Sequence, residues 1–202
     1  MKRILILIAV FATSNLFGAT IKQTTIGYTY VELNKASYQA VEIGTSVVVI
    51  TKKGIIRPYT GVEISAPIFF DSKGTNLQDA DNKGTGYGVA LQVPLIFGLD
   101  ISGFYIQAMG GYNISWLNDS LKNIPSGAQI GALKTAKTKT ISQGFIYGGG
   151  LGYSFTSNFT IGVRFLKGSM KNEIINEPTS AAINKQYKTN YTKIMALIGY
   201  NF

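Results

Sequence analysis

The sequence predicts an all-β chain: after a cleaved N-terminal signal peptide, a closed antiparallel up-and-down transmembrane β-barrel of eight strands. Three observations carry this expectation. Apolar and polar residues alternate with period two almost to the last residue, as in a pleated strand with two unlike faces. The polar face of that alternation is Gly, Ser, Thr, Asn and Gln rather than Lys and Glu. The chain is 46% hydrophobic with a mean hydropathy of +0.15, yet beyond the N-terminus no run approaches the roughly 18–20 apolar residues of a membrane helix.

Composition narrows the chemistry before any element is placed. The 202 residues suggest one domain and suffice to close a barrel. With no His and no Cys, a Ser-His-Asp or Cys-His nucleophile, a Cys/His zinc site and a redox dithiol are all excluded. Asp and Glu together number 10 and are scattered, so the sequence gives no reason to expect an enzyme, a metal site or a cofactor. The 23 Gly and 12 Tyr beside 5 Pro favour strands and turns over helices.

The N-terminus reads as an export signal. Lys2 and Arg3 form a positive start, Ile4–Phe11 an unbroken apolar stretch, and small residues follow. Cleavage after Ala19 gives a signal peptide over 1–19 and a barrel over 20–202. Cleavage after Ser14, with Ala12 upstream, fits the small-x-small rule better. Loss of Lys2 and Arg3 takes the net charge of +9 to 17 − 10 = +7.

The strands follow in order. Thr24–Leu33, Tyr38–Thr51, Ile55–Ile68 and Gly86–Phe97 alternate loosely. In the second, Val41, Ile43, Thr45, Val47 and Val49 share a face opposite Ala40, Glu42, Gly44 and Ser46. Pro58, Pro67 and Pro94 fall inside these runs, where bulges or strand ends are expected. Phe104–Trp116, Phe145–Phe155, Phe159–Phe165 and Lys193–Phe202 alternate strictly. One parity is apolar at 20 of 22 positions and the other at 5 of 19, which helical periodicity cannot produce. This makes eight strands, although the pattern alone leaves ten open.

Connections alternate in length. Lys52–Gly54, Gly98–Ser102 and Thr156–Asn158 are short, whereas Phe69–Thr85, Leu117–Thr140 and Lys171–Lys188 are long and polar. Only Asn34–Ser37 is brief on the long-loop side. Leu117–Thr140 exceeds most structureless loops, so part of it, around Ala128–Leu133, is expected to extend the flanking strands.

Alternation does not say which face is inside; the residue types do. The four clearest strands carry only Arg164 and Lys193 as charges in 41 residues, whereas soluble surfaces are about 25–35% charged. The runs match the roughly 9–11 residues of a membrane-spanning strand. Aromatics sit near the ends of the apolar parity, as at Phe104 and Trp116 or Tyr200 and Phe202, in the manner of interfacial girdles. A final strand that ends the chain needs a partner for its free edge, and closure onto the first strand supplies one.

With its signal, its eight amphipathic runs and the terminal Ile194-x-Ala196-x-Ile198-x-Tyr200-x-Phe202, the chain resembles the small outer-membrane β-barrels of Gram-negative bacteria, the OmpX-like and OmpA-barrel-like group. The resemblance spans the whole mature chain and implies residence in the cell outer membrane, among its lipid and lipopolysaccharide. It also implies that Ile198, Tyr200 and Phe202 form the C-terminal signal read by the barrel-assembly machinery. The full OmpA arrangement, with a peptidoglycan-binding domain after the barrel, is not expected. Outer-membrane barrel enzymes of the lipid-A deacylase and palmitoyltransferase types use a His that this chain lacks.

On this parity Glu42, Arg57, Glu63, Gln92, Gln107, Arg164 and Lys193 point inward. An eight-stranded barrel is just wide enough for side chains to fill, so these groups are expected to pair across the lumen as a polar network. Tyr59, Tyr105 and Met109 share that interior. Gly148-Gly149-Gly150-x-Gly152 lacks the Lys and helix of a phosphate loop and reads as room for bulky neighbours. Leu117–Thr140, with Asp119, Lys122, Lys134, Lys137 and Lys139, reads as a solvated basic loop beside an anionic leaflet. Asp71, Asp79 and Asp81 lack EF-hand spacing. The function expected is structural or surface-interacting: membrane stability or adhesion, with a host or cell-surface ligand met through the long loops and no nucleic acid. The alternative is a small porin-like channel for ions or small solutes.

Overall fold

A computed structural model of the chain describes residues 18–33, 36–51, 54–73, 85–122, 135–175 and 186–202. They form eight strands: β1 Gly18–Leu33, β2 Ala36–Thr51, β3 Ile56–Lys73, β4 Thr85–Ile101, β5 Phe104–Lys122, β6 Thr135–Ser154, β7 Phe159–Ile174 and β8 Gln186–Asn201. Each pairs antiparallel with the next, and β8 closes on β1. The architecture is the predicted closed meander, and the count is eight rather than ten.

Register fixes the shape. The rungs lead from Ile21 through Val48, Gly61, Ile96, Met109, Gly148, Leu166 and Lys193 back to β1 at Val31. One circuit therefore climbs ten residues. With eight strands, that stagger sets a tilt of roughly 40° and a radius of roughly 8 Å. The interior can hold side chains but not an open pore.

The short connections lie at the end where both ends of the described chain lie. Between β4 and β5 the turn is only Ser102–Gly103, both at positive φ (52° and 93°), the two-residue type I′ geometry that suits strand twist. Gly54 (113°) and Asn158 (67°) take the same region in the other two turns, and Asn158 N donates to Phe155 O at 3.1 Å.

The strands run 16 to 20 residues, longer than the apolar alternation suggests. β7 continues nine residues past Phe165 to Ile174, and Gly98–Ile101 belongs to β4 rather than to a turn. Leu117–Lys122 and Thr135–Thr140 extend β5 and β6, whereas 128–133 lie outside the described residues. These extensions are rich in Lys, Thr, Asn and Ser, so they lack the apolar parity that marks a strand crossing lipid. The prolines also differ from expectation. The only register shift recorded in β3 faces Gln39/Ala40, at Phe70. Pro67 and Pro94 instead fall where rungs of the β3–β4 ladder are missing, because neither can donate an N–H.

Outside and inside are unlike. Ile26, Ile43, Ile64, Leu91, Ile106, Leu151, Ile161 and Ile198 stand about half exposed around the whole circumference, while Glu42, Glu63, Gln92, Arg164 and Lys193 are buried. Val49, on the outward parity of β2, is buried as well. Near the short-turn end Tyr153–Phe155, Phe159–Tyr200 and Tyr200–Phe202 pack edge-on with centroids 5.0–5.3 Å apart, and Phe104 stands at the same level. Tyr87 and Trp116 mark the other boundary on β4 and β5. From Phe104 to Trp116 is roughly 30 Å along the axis at the rise and tilt above, the thickness of a bilayer core.

Candidate functional site

The polar residues of the lumen are held there by parity. Along β2 the inward positions run Ser46, Gly44, Glu42, Ala40, Tyr38 from the short-turn end. Along β3 they run Arg57, Tyr59, Gly61, Glu63, Ser65, Pro67, Phe69, and along β8 Leu197, Met195, Lys193, Tyr191. Charged groups thus lie at middle depth and near one mouth, with apolar groups above them.

The central group joins five strands. Lys193 Nζ donates to Glu42 Oε1 at 2.7 Å and lies 2.6 Å from Glu42 Oε2. It also donates to Gln92 Oε1 at 2.6 Å. Gln92 Nε2 donates to Asn113 Oδ1 at 2.9 Å and to Tyr191 OH at 2.8 Å. The Thr29 hydroxyl donates to Glu42 Oε2 at 3.2 Å. Lys193 is 1% exposed and Glu42 0%; such charges are tolerable only when each is paired and hydrogen-bonded.

One step toward the short-turn end, Arg164 Nη1 donates to Glu63 Oε1 at 2.6 Å across the barrel. Glu63 Oε2 and Arg164 Nε make no protein hydrogen bond, so this pair is less completely satisfied. At the mouth, Arg57 Nε and Nη2 donate to Asp100 Oδ1 at 3.0 and 2.6 Å. Arg57 is about a third exposed and does not join the deeper groups. Gln107 is separate too: it accepts from Tyr59 OH at 3.0 Å, and its Nε2 lies 3.3 Å from Met109 Sδ. Tyr59 fits because Gly98 faces it, and Tyr105 because Gly152 and Gly162 do; a Cβ at any of the three would collide with the ring. A cavity of about 70 Å³ opens here, lined by Tyr59, Tyr105, Gln107, Asp100 and Asn201 among others.

Toward the long-loop end the lumen is mixed: Ser115, Ser142, Asn172 and Thr189 are buried there, with Asn172 Nδ2 donating to the Thr189 hydroxyl at 3.0 Å, beside an apolar group. Val31, Leu33, Tyr38, Phe69, Leu117, Leu166 and Met170 are at most 2% exposed and form one cluster, with the Tyr38 and Phe69 rings 5.5 Å apart. The interior therefore stacks a small open cavity at the mouth, two buried ion pairs and an upper layer in which an apolar cluster packs beside buried hydroxyl and amide groups.

Asp100, Tyr191 and Thr29 complete these contacts and lie outside the predicted network, as does Asn113, which strand parity alone places inward. For Asp100 the signal was available: it sits opposite Arg57 on the β3–β4 ladder, but reading Gly98–Ser102 as a turn hid it. Ile198, Tyr200 and Phe202 lie on the lipid face, and Phe202 N donates to Lys22 O at 2.8 Å. Residues 1–17, Asp79, Asp81 and Lys134 lie outside the described residues.

A closed sheet that is apolar outside and polar inside satisfies every strand edge in lipid and inverts the soluble arrangement. The chain is a closed eight-stranded β-barrel with the apolar exterior and polar interior of a transmembrane barrel. No protein-family model and no curated protein matches the sequence. Among solved structures it is similar to Ail of Yersinia pestis, solved with the heparin analogue sucrose octasulfate: 12% identity, 91% of this chain and 99% of that one, TM-score 0.43. It is also similar to the N-terminal barrel domain of OprF from Pseudomonas aeruginosa, at 12% identity over 92% and 99% with a TM-score of 0.40. A third is the outer-membrane protease OmpT of Escherichia coli, at 11% identity over 92% and 97% with a TM-score of 0.37.

Proposed function

We propose that the chain is a non-conducting, non-enzymatic outer-membrane barrel whose role is structural and surface-interacting: it stabilises the membrane and presents the segments 74–84, 123–134 and 176–185 to a host or cell-surface ligand. The carrying observation is the stacked lumen. Ions entering from the short-turn mouth meet the Glu63–Arg164 and Glu42–Lys193 pairs and then the buried Tyr38–Phe69 cluster, which together fill the lumen of the described barrel with side chains. The lumen carboxylates are committed to cations, and the chain has no His or Cys to act as a base or nucleophile.

In this reading residues 1–19, or 1–14, are removed on export. Ile198, Tyr200 and Phe202 then present the terminal signal to the barrel-assembly machinery. Purified protein in a planar bilayer tests the central claim. The expected trace is flat at potentials where a porin gives discrete steps; reproducible single-channel steps would replace this reading with the porin-like one.

A further inference from the structure

Above the apolar band, the outer face of β7 and β8 changes character over three consecutive rungs. Phe165 faces Ile194 on the last apolar rung. Next come Lys167 opposite Thr192, Ser169 opposite Asn190, and Lys171 opposite Lys188. The three lysines, Ser169 and Asn190 are exposed. All six residues of these rungs can donate hydrogen bonds, and none is acidic; Glu173 stands one rung higher, opposite Gln186.

Two features make this more than a solvated strand end. Like charges directly opposite on a ladder destabilise it, yet Lys171 and Lys188 face each other with no carboxylate within ion-pair distance among the described residues. The patch also begins low. Corrected for tilt, Lys167 stands about level with Leu91 and Tyr112, and the outer faces of β4 and β5 stay apolar beyond those, up to Tyr87 and Trp116. Lys167 Nζ lies 5.3 Å from the Phe165 ring centroid, at the water-facing edge of the apolar surface. On the β6 side the rungs adjoin Gln143, Phe145 and Tyr147, and the two aromatics are well exposed. Lys171 and Lys188 therefore sit about level with Trp116 and Tyr87, where the outer leaflet's headgroups meet its acyl chains, and Lys167 stands roughly 10 Å below them.

We propose that Lys167, Lys171 and Lys188, with Ser169, Asn190 and Thr192, form a binding surface for a phosphorylated lipid headgroup of the outer leaflet. The phosphate sits between Lys171 and Lys188 and relieves their repulsion, while an acyl chain runs down past Phe145 and Tyr147. The source is lipopolysaccharide, whose lipid A carries phosphate and acyl chains together. The proposal rests on the membrane-spanning barrel and not on the role of its loops.

The test uses the full mature chain folded in detergent micelles and titrated with purified lipid A, with bound lipid counted by native mass spectrometry. The comparison set is wild type, K171Q/K188Q, K167Q and, as a remote control, K22Q. A lysine near an anionic headgroup is worth about fivefold in affinity, so the double variant is expected to bind about thirtyfold more weakly. K22Q should bind as wild type, and dephosphorylated lipid A should bind wild type as weakly as lipid A binds the double variant. Unheated gel mobility reports barrel closure separately; if the double variant fails to close, K171Q and K188Q are read singly. Equal binding by wild type and variants, or full binding of dephosphorylated lipid A, overturns the proposal. Displacement of lipid A by excess inorganic phosphate overturns the lipid source.

Discussion

Replacing Lys193 by Met removes a buried cation with little change in volume. The ammonium has three contacts within 2.7 Å, two to Glu42 and one to Gln92, and is 1% exposed. In the variant Glu42, 0% exposed, keeps the Thr29 hydroxyl at 3.2 Å but loses its counter-charge, and Gln92 Oε1 loses its donor. A buried pair broken on one side costs about 3–5 kcal/mol, whereas removing both charges together is often near neutral. K193M and E42L should each therefore be destabilised by about 3–5 kcal/mol, and E42L/K193M by less than either. The expected coupling energy is several kcal/mol. Urea unfolding from lipid vesicles, followed by the unheated gel shift and tryptophan fluorescence of Trp116, measures all three. If the double variant lost the sum of the two single losses, the two groups would be independent and the pairing argument would fail. The Arg57–Asp100 pair is the internal comparison: Arg57 is about a third exposed and Asp100 8% exposed at the mouth, so R57M should cost less than K193M.

Arg placed at Ile161, Val163 or Leu151 should cost about 2–4 kcal/mol where the position faces mid-bilayer; unfolding from vesicles no harder to achieve than for wild type would mean that this face does not meet lipid. Gly152→Ala and Gly162→Ala should each destabilise the barrel, because the new methyl meets the Tyr105 ring. Adding Tyr105→Phe, which removes the hydroxyl nearest the Gly162 position, should recover part of the Gly162→Ala loss but little at Gly152, where the Ile161 carbonyl is nearer still; no recovery at Gly162 would place the fault elsewhere. Deleting Phe202 removes a backbone bond to Lys22 and the edge-on contact with Tyr200. Synthesis and export should continue while the heat-modifiable form in outer-membrane fractions falls, and an unchanged amount of folded protein would count against the terminal signal.

What the sequence determined by itself is the division between the two faces. Phe104-x-Ile106 and Phe159-x-Ile161 need no tertiary information to be read as lipid-facing, because a pleated strand sends alternate side chains to opposite sides, and the scarcity of charge on the other parity says that water does not cover it. Parity also put Glu42, Glu63, Gln92, Arg164 and Lys193 inside. It could not say which of them meet. Lys193 and Glu42 are 151 residues apart and Arg164 and Glu63 101 apart; their meeting depends on the ten-residue stagger acquired on closure, which is a property of all eight registers together.

The strand ends were hidden for a different reason. The outward positions of β7 turn polar past Phe165, and the inward ones mix Leu117, Leu166 and Met170 with Thr140 and Asn172, so Leu117–Lys122, Thr135–Thr140 and Leu166–Ile174 carry no strict apolar alternation to read. The Lys171–Lys188 opposition is likewise invisible in one dimension, where the two lysines bracket a long polar stretch. The strand register brings them face to face at the edge of the lipid. Local sterics and solvent preference are written residue by residue, whereas which charges become neighbours is decided by how the sheet closes.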